Sequence, residues 1–573
     1  MDRLPRELID AILRRCVAQG PKNNVLQLRL VCRLFDRVLK PSGCRTLGLE
    51  LSRLSRASHV RRPDPDALQT IGYHCKSLYI DLMVLRDEME VDYLETVFAR
   101  VATMAEFCQS MRRKYCMNKS SFTETEYYHT VESLLFNCRQ IDRLRLNLPF
   151  QLVGRHCNAA TMILANTLKA LACRPEEDSA CLKTLVLENV ADMTIISLWL
   201  NPTDVGNIMK VFADLHHLVL TLRRHDTEAQ RAFGSCFWDV IEHADRLETL
   251  CLVGMDHDDR PPRGLKQTRF WQIPVEDWRV RSLPTPRTSF SNLTCLELKR
   301  LEMLPDAFLK ATTQVFGETL EELYLNEIYL KTEQSNDWNQ DSRKILWVGI
   351  PNKRPDDDCQ WMAMRVRAAT PRLKVCRASF LAYDHYLRED IAMPPDFDLI
   401  DPCGLGRSVS QRFVEVVLGV HQPNSPTGEP VLYFPHEPSD DSRLHKLWNR
   451  TRAPFVEEYD TNAYQATLDN PTSGWQKSLD GIFINSNSGT LDELHYIAQT
   501  ACQGMNEINR RTAASGVAVG HEGAIMRVPG ADDGAVQETE QGAGQEVTQQ
   551  DVTETDTTEQ GDTVQHVAEQ DEP

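Results

Sequence analysis

Two short stretches of the sequence carry side chains that could bind an anion or a cation. Residues Cys403–Ser408 read Cys-Gly-Leu-Gly-Arg-Ser, a glycine-rich turn of the kind that can cradle a phosphate. This turn has no phosphate-loop lysine, and a turn before a helix explains it equally well. Asp356–Asp358 offers three carboxylates to a cation, but a solvated acidic loop is the simpler interpretation.

Histidine and cysteine also occur side by side. His74–Cys75 and His156–Cys157 could ligate a metal only together with partners distant in the sequence. His216 and His217 lie in a predicted strand, so we expect their rings to point to opposite faces, where they cannot share one metal. The sequence contains no G-x-S-x-G, H-E-x-x-H, phosphate-loop or C-x-x-C motif. We therefore expect no catalytic residues, no metal site and no cofactor, with an enzyme as the alternative class.

The charge of the chain is unevenly distributed. The 573 residues carry a net charge of −18, but thirteen Asp or Glu and no Lys or Arg follow Ala531. The remaining sequence is therefore close to neutral, at about −5. A basic patch of the kind that binds nucleic acid is not indicated. The length predicts several domains.

The cysteines and the apolar segments indicate a cellular compartment. The 17 cysteines have no repeated spacing, and the N-terminus does not resemble a signal peptide. No apolar run is long enough for a membrane span, so we expect no membrane partner. We expect a soluble protein with free thiols, located in the cytoplasm, the nucleus or both.

The first forty residues have the pattern of short amphipathic helices. Pro5 suits the first turn of a helix, and apolar residues then recur at helical spacing as far as Cys16. A polar break over residues 19–24 ends this helix. The apolar period from Val25 to Leu39 predicts one second helix, which ends at Pro41. Two such helices bury too little surface to be stable alone, so their apolar stripes need a partner.

These residues resemble an F-box, the helical module that binds the Skp adaptor of SCF (Skp–cullin–F-box) ubiquitin ligases. The resemblance is carried by Leu4-Pro-x-Glu-Leu8-x-x-x-Ile12-Leu13 and by Leu28-x-Leu-Val31-Cys32-Arg-x-Phe35. The connector between the two segments is slightly longer and more polar than in the family. An ordinary amphipathic hairpin that packs on the following domain is the alternative. The resemblance implies that the adaptor contacts come from Leu4, Pro5, Leu8, Ile12, Leu13, Leu28, Val31, Cys32 and Phe35.

A leucine-rich phrase, Leu-x-x-Leu-x-Leu, returns along the next part of the chain. Its clear copies centre on Leu185, Leu218, Leu250, Leu296 and Leu323. Its weaker copies contain Leu47/Leu49, Leu78/Ile80, Leu144/Leu146 and Leu373/Cys376. The alternation predicts short strands with one buried face, and the intervening segments predict helices over 161–173, 205–214, 228–243 and 305–316.

A strand and a helix that alternate in this way predict an α/β fold built as a solenoid. The phrase resembles the strand segment of a leucine-rich repeat, but its spacings of 33, 32, 46 and 27 residues are long and irregular. The Asn or Cys that usually follows the phrase is also missing. We therefore predict a degenerate leucine-rich-repeat-like array with insertions. An ordinary α/β domain with leucine-rich strands is the alternative.

The longest spacing contains an insertion over about residues 255–291. It is rich in proline and in residues that favour interfaces, so it is a possible partner-binding loop. A loop that merely covers the edge of the array is the alternative. The residues proposed for partner binding are Arg260, Arg263, Phe270, Trp271 and Trp278.

The leucine phrase disappears after about Tyr383. Residues 408–420 are apolar enough for a buried helix or strand, and Thr490–Glu493 has the signature of a capping box. We predict that a helix follows, with Leu491, Leu494, Ala498, Ala501, Met505 and Ile508 on one face. The predicted organisation is an F-box over residues 1–42, an array over 43–382, a unit that caps the array over 383–511, and a disordered acidic tail over 512–573.

An F-box followed by leucine-rich repeats resembles the substrate receptors of SCF ubiquitin ligases. The resemblance implies a non-catalytic subunit in the ubiquitin-like (Ubl) conjugation pathway, which binds the Skp-family adaptor and, through it, the cullin. The repeats would hold an unknown protein substrate close to the conjugating enzyme. An interaction scaffold that is not linked to degradation, with or without the adaptor, is the alternative.

Overall fold

The structure is a computed structural model, and it describes most of the chain before residue 384 together with three later segments. The described residues are 5–19, 22–54, 64–151, 157–175, 177, 179–223, 230–255, 290–303, 305–326, 328–330, 345–347, 360–379, 381–383, 409–418, 456–458 and 488–514. The predicted glycine-rich turn, the three aspartates, the partner-binding loop with Arg260, Arg263, Phe270, Trp271 and Trp278, and nearly all of the predicted acidic tail lie outside these residues.

The fold is mixed α/β, as predicted, and its main sheet is parallel. Each of the nine leucine phrases forms one strand, so the strand prediction is confirmed for all of them. The strands are β1 Thr46–Glu50, β2 Ser77–Asp81, β3 Arg143–Asn147, β4 Thr184–Ala191, β5 His217–Arg223, β6 Thr249–Met255, β7 Cys295–Lys299, β8 Glu322–Asn326 and β9 Val375–Ser379.

Helices connect the strands and extend both ends of the fold. Those before β6 are α1 Arg6–Gln19, α2 Lys22–Arg29, α3 Arg33–Gly43, α4 Leu51–Leu54, α5 Pro65–Ile71, α6 Glu88–Phe98, α7 Ala102–Lys114, α8 Glu124–Asn137, α9 Asn158–Ala172, α10 Asp192–Trp199, α11 Pro202–Phe212 and α12 Gln230–Ile241. The later ones are α13 Pro305–Lys310, α14 Met362–Ala369, α15 Val409–Leu418 and α16 Ser488–Ala514. The four helices predicted between the clear phrases are confirmed as α9, α11, α12 and α13, and a π-helical turn, Ala311–Val315, extends α13.

The order of the strands in the sheet is their order in the chain. Each strand pairs in parallel with the next, and equivalent leucines stand side by side, as in the row Leu185, Leu218, Leu250 and Leu296. A tenth short strand, β10 (Val456–Glu458), pairs in parallel with β9 at the far edge. Two-residue strands after β7, β8 and β9 form a small second sheet, Glu302–Met303, Tyr329–Leu330 and Ala382–Tyr383, and Ile345–Leu346 pairs with Gln360–Trp361.

The leucine rows form one face of the main sheet, which we call the leucine face. Leu78, Leu144, Leu218 and Leu250 are all fully or almost fully buried there, in one cluster with apolar residues of the helices. Burial of a leucine side chain contributes about 2 kcal/mol, so the repeated rows supply much of the stability of the fold. This cluster runs from Leu49 to Ile497 and is the main core of the molecule.

Side chains at the helix starts show why the chain turns where it does. Asp64 and Asn201 accept hydrogen bonds from the backbone N–H groups of Asp66 and Thr203, and a proline follows each cap. Thr123 and Glu126 form a reciprocal capping box at the start of α8. Such caps satisfy N–H groups that a helix leaves unpaired.

The opposite side of the main sheet, which we call the second face, is also buried. Its side chains include Tyr79, Val186, Val219 and Cys251, and each of them is less than one-tenth exposed. The prediction of strands with only one buried face was therefore wrong for these strands. The reason is that this face carries a mixture of polar and apolar residues, which gives the alternating pattern of a solvated face.

The helix α16 returns to the beginning of the sheet. It packs beside α6, where Ile497 is fully buried and Arg511 donates a hydrogen bond to the backbone carbonyl of Arg100. The predicted capping box is wrong, because the helix begins at Ser488 and the Thr490 side chain instead hydrogen-bonds Asp81. Most of the described part of the predicted stripe is confirmed, because Leu494, Ala501 and Ile508 pack against the main core. Met505 is exposed, however, and the prediction missed the buried Ile497 and Gly504.

The other described helix of the predicted capping unit lies at the opposite end of the sheet. The helix α15 packs against β9, α14 and β10, and Phe413 is fully buried there. It confirms the predicted apolar segment over residues 408–420 as a helix. Within the described part of the chain, no helix is long and apolar enough to cross a membrane.

Candidate functional site

The N-terminal helices form a small unit with its own core. The residues at this core are Ile9, Leu13, Val25, Phe35 and Leu39, and they belong to a cluster distinct from the main core. Val17, Leu28, Leu34 and Val38 pack around them. The unit therefore has an internal apolar centre but shares little apolar surface with the sheet.

This unit contains three helices where the sequence predicted two. The predicted second helix breaks after Arg29, and Cys32, with an extended backbone, precedes α3. Arg29 stabilises the break, because its guanidinium donates to the Asp36 carboxylate at 3.0 Å and to the Cys44 sulfur at 3.2 Å. Pro41 lies inside the last turns of α3, so the prediction that it ends the helix was wrong.

Four large apolar side chains in the described part of this unit point into solvent. Leu8 and Ile12, one helical turn apart on α1, are 51% and 43% exposed. Leu30 and Val31, in the turn between α2 and α3, are 86% and 66% exposed. We call these four residues the exposed apolar set. They are the large apolar side chains that the described part of this unit leaves in water.

The structure divides the predicted adaptor contacts into two groups. Leu13 and Phe35 are buried in the core of the unit, and Leu28 is half-buried beside it. Pro5, Leu8, Ile12, Val31 and Cys32 are exposed, and Leu4 lies outside the described residues. Sequence reasoning missed Leu30, the most exposed large apolar residue in the described part of the unit. The apolar period Val25, Leu28, Cys32, Phe35 and Leu39 continues past Leu30 without including it, so it gave no sign of the break beside this residue.

The unit is joined to the sheet through the end of α3 and the strand that follows. The backbone carbonyl of Arg45 accepts hydrogen bonds from the N–H groups of Lys76 and Ser77 at 2.9 and 3.0 Å. His74, in the 3₁₀ turn that α3 contacts, has a lowered pKa because of burial and because Lys40 and Arg29 are nearby. The first strand of the sheet therefore follows directly from this unit.

The second face carries a chain of hydrogen bonds across the carboxyl ends of β2 to β5. The Tyr79 hydroxyl donates to one oxygen of Asp81 at 2.9 Å, and the Asn147 amide donates to the other at 3.1 Å. The Asn189 amide donates to Asn147 at 2.6 Å, and Arg223 donates to Asn189 at 2.8 Å. Asn189 has a φ of 61°, a left-handed conformation that asparagine tolerates, at an irregularity in the register of β4.

Two ion pairs lie on the same face. Arg145 donates to both carboxylate oxygens of Glu188, at 2.7 and 2.9 Å, and its guanidinium lies 4.7 Å from the centre of the Tyr79 ring. Lys299 lies 2.5 Å from Glu297, and both side chains are almost fully buried. Buried charges need such partners, because an unpaired charge in a low-dielectric interior is costly. The second face is therefore an ordered polar surface with an apolar centre.

The neighbouring histidine and cysteine residues are described except for His156. Within the described residues, no group of three or more His, Cys, Asp or Glu side chains is placed to hold a metal. The two neighbouring histidines have different partners: His216 lies 3.0 Å from the Asp214 carbonyl, and His217 lies 3.2 Å from the Thr249 hydroxyl. Burial raises the pKa of Cys116 and of Cys157 to about 12, so these thiols are mainly protonated and unreactive.

No family model matches this sequence, and no curated protein matches it either.

Proposed function

We propose that the protein is a substrate receptor of an SCF-type ubiquitin ligase. In this proposal the N-terminal unit is an F-box, and the sheet with its helices is a leucine-rich-repeat-like solenoid that presents the substrate. The observation that carries the proposal is the exposed apolar set: Leu8, Ile12, Leu30 and Val31 are in water although the unit has a complete core of its own.

In the three-helix unit, some residues of the F-box-like motif form the core and others are exposed, which supports separate structural and binding roles. Leu13 and Phe35 hold the helices together, while the exposed apolar set and Pro5 are available to a partner. Helical surfaces with apolar side chains at such spacing bind complementary helices or grooves. The partner proposed is the Skp-family adaptor, and the cullin is reached through it.

The parallel sheet supports the solenoid part of the proposal. Each strand contacts its neighbours in the chain, and the described helices between the strands pack on the leucine face. A stack of such units offers a long surface for a protein substrate. Its spacing remains irregular, in keeping with a degenerate repeat with insertions.

The test is co-purification of the full chain with the Skp adaptor. We expect the wild type to bind and the variant Leu8→Ser with Val31→Ser to lose at least about 100-fold in affinity, because central apolar contacts contribute about 2 kcal/mol or more each. The matched control is Phe136→Ser with Leu200→Ser, which removes two exposed apolar residues of the helical layer. It should bind as the wild type does.

Two results would contradict the proposal. One is a wild-type chain that does not bind the adaptor, which would favour a scaffold independent of SCF ligases. The other is full binding by the Leu8/Val31 variant. A receptor must also direct degradation, so a bound substrate should accumulate when the proteasome is inhibited. An adaptor-bound protein without this effect would be an F-box protein that works outside degradation.

A further inference from the structure

Two buried thiols are in contact where two helical segments meet. Cys75 follows the 3₁₀ turn Gly72–His74, and Cys138 follows the last residue of α8. The two side chains are hydrogen-bonded to each other, and both residues are fully buried. The Cys75 sulfur also lies 3.6 Å from the carbonyl oxygen of Ile71. The cysteines are 63 positions apart in the sequence, so the tertiary fold brings them together.

Gly72 permits this contact. A Cβ atom at this position would lie 2.9 Å from the carbonyl carbon of Asn137 and 3.3 Å from the Cys138 sulfur. Because the Asn137 backbone cannot yield as a flexible side chain would, any other residue at position 72 would push the turn away from the end of α8. Cys75 would move with the turn, since its N–H donates to the Gly72 carbonyl at 3.0 Å. The contact between the thiols therefore depends on a glycine.

A charged group lies near one of the two sulfurs. The pKa of Cys138 is lowered, because the hydrogen bond from Cys75 and the positive charge of Arg174 favour the thiolate, although burial opposes them. The Arg174 guanidinium is held in place by the backbone carbonyls of Ile141 and Arg139, to which it donates at 3.0 and 2.9 Å. The surroundings of Cys138 therefore stabilise the ionised form of its side chain.

This environment distinguishes Cys138 from other buried cysteines of the chain. The thiolate is the form of cysteine that oxidants attack. Burial raises the pKa of Cys116 and of Cys157 to about 12, so those side chains stay protonated. Cys138 is prepared for oxidation where they are not, and Cys75 is placed to react with the oxidised sulfur.

We propose that Cys75 and Cys138 are a reversible redox pair, which a hydroperoxide oxidises to a disulfide. In the first step the Cys138 thiolate attacks one oxygen of hydrogen peroxide, the O–O bond breaks, and hydroxide leaves, which gives a sulfenic acid. In the second step the Cys75 sulfur attacks the Cys138 sulfur, the S–O bond breaks, and the Cys75 proton leaves with the oxygen as water. The two thiols lose two electrons and two protons in total, and one peroxide becomes two waters. A thiol reductant reverses the reaction through a mixed disulfide.

The disulfide restrains the turn that precedes β2. This turn contacts α3, and the next two residues, Lys76 and Ser77, donate their N–H groups to the Arg45 carbonyl. Because both sulfurs are buried, peroxide reaches them through local opening of the turn or of the end of α8, so the reaction is slower than at an exposed thiolate. The proposal does not rest on the proposed function, because no residue of the exposed apolar set takes part.

The test is a map of the oxidised cysteines in the full chain by mass spectrometry. The wild type is treated with hydrogen peroxide, excess oxidant is removed, the remaining thiols are alkylated on denaturation, and the peptides are analysed without reduction. We expect a peptide pair joined through Cys75 and Cys138, lighter than the two free peptides by two hydrogen atoms. Dithiothreitol should return both cysteines to free thiols. Cys116 and Cys157 should stay reduced and serve as internal controls.

Two single variants test the order of the steps. In Cys75→Ala the sulfenic acid of Cys138 has no second thiol to react with, so dimedone added on denaturation should trap it there. In Cys138→Ala the Cys75 thiol should stay reduced, at a rate of oxidation at least about tenfold lower than in the wild type, because the group that reacts first is missing. Oxidation of Cys75 at the wild-type rate in that variant would overturn the proposal.

The wild type alone can also overturn it. Cys173 is exposed and reports that the oxidant is active. If Cys173 is oxidised while Cys75 and Cys138 remain reduced, the two buried cysteines are not a redox pair. Oxidation of Cys116 and Cys157 at the same rate as the pair would show general unfolding, and it would contradict the proposal as well.

Discussion

The Thr490 side chain hydrogen-bonds the carboxylate of Asp81, although the two residues are 409 positions apart in the sequence. The same part of α16 brings Glu493 into hydrogen-bonding contact with Tyr115, at the end of α7. Burial raises the pKa of Asp81, and the hydrogen bonds from Tyr79, Met83 and Thr490 favour its charged form. The last described helix is therefore attached to the second strand through specific polar contacts as well as through apolar packing.

Gly504 should be required for the docking of α16. A Cβ atom at this position would lie 2.7 Å from the Met104 side chain and 2.8 Å from the Phe98 ring. We expect Gly504→Leu to weaken docking by about 1 to 3 kcal/mol, the usual cost of overpacking. Hydrogen exchange of residues 488–514 should rise, while exchange in β4 to β6 stays unchanged. The control is Met505→Leu at the largely exposed neighbour, and equal exchange in both variants would contradict the prediction.

The buried pair Glu297 and Lys299 should matter more than an exposed pair of similar length. Glu297→Gln removes the carboxylate 2.5 Å from a buried ammonium group, so we expect a loss of about 3 kcal/mol in the free energy of unfolding. Glu321→Gln breaks a 2.6 Å pair with Lys374 that is largely exposed, and it should cost less than about 1 kcal/mol. Denaturant titration of both variants provides the comparison.

A double variant tests the cause of that loss. Glu297→Gln with Lys299→Met removes both buried charges, and replacing a buried pair by uncharged groups is often close to neutral. We therefore expect most of the lost stability to return. A double variant as unstable as Glu297→Gln alone would show that the ion pair is not the source of the effect.

His217 should make stability depend on pH. Burial lowers the pKa of His217 below its ordinary value of 6.5, and the nearby His216 and Arg143 act in the same direction against Glu248. Below pH 6.5 the unfolded chain therefore binds more protons at this ring than the folded protein does. This ring makes the free energy of unfolding fall as the pH decreases below 6.5, and it contributes no slope well above that value.

The variant His217→Gln should have a shallower loss of stability between about pH 7 and pH 5, as measured by denaturant titration at each pH. The exposed His129, changed to Gln, serves as the control and should keep the wild-type slope. If the free energy of unfolding depends on pH equally in His217→Gln and in the wild type, His217 is not the cause of this dependence.

The N-terminal unit should be the least stable part of the described chain. Its core holds only Ile9, Leu13, Val25, Phe35 and Leu39 as fully enclosed apolar residues, and small cores are marginal. We expect Phe35→Ala, at a cost of about 3 kcal/mol, to unfold α1 to α3 without unfolding the sheet. Residue-level hydrogen exchange should show full exchange over residues 6–43 and continued protection of β3 to β6. Loss of protection in the sheet would indicate one cooperative unit.

The sequence predicted the strands well because each strand buries leucines at a fixed alternation. The nine phrases correspond to β1 to β9, and their chain order is also their order in the sheet. The same alternation could not reveal the burial of Val219 or Glu297, because a polar or mixed face looks solvated whatever covers it. Burial there depends on contacts across long sequence distances, which local periodicity does not contain.

The spacing of apolar residues also failed to predict two details of the helices. The apolar period from Val25 to Leu39 continues unbroken past Leu30 and Val31, so the sequence indicated one helix where Arg29 and Cys32 mark a break. In α16 the predicted face was right for Leu494, Ala501 and Ile508, but the prediction missed Gly504. Its lack of a side chain allows the helix to approach Phe98 and Met104 closely, and no apolar pattern indicates such a contact. In both cases the deciding factor is the shape of the neighbouring element.

The return of α16 to β2 has a consequence for how the chain acquires its structure during synthesis. Nearly every strand pairs with a strand that has just left the ribosome before it, so the sheet can grow in step with translation. The contact between Arg511 and Arg100 spans 411 positions and has to wait until residue 511 has been synthesised. Until then Asp81 lacks its hydrogen bond from Thr490, and α6 lacks the helix that packs beside it, so nascent chains expose a surface that finished molecules cover.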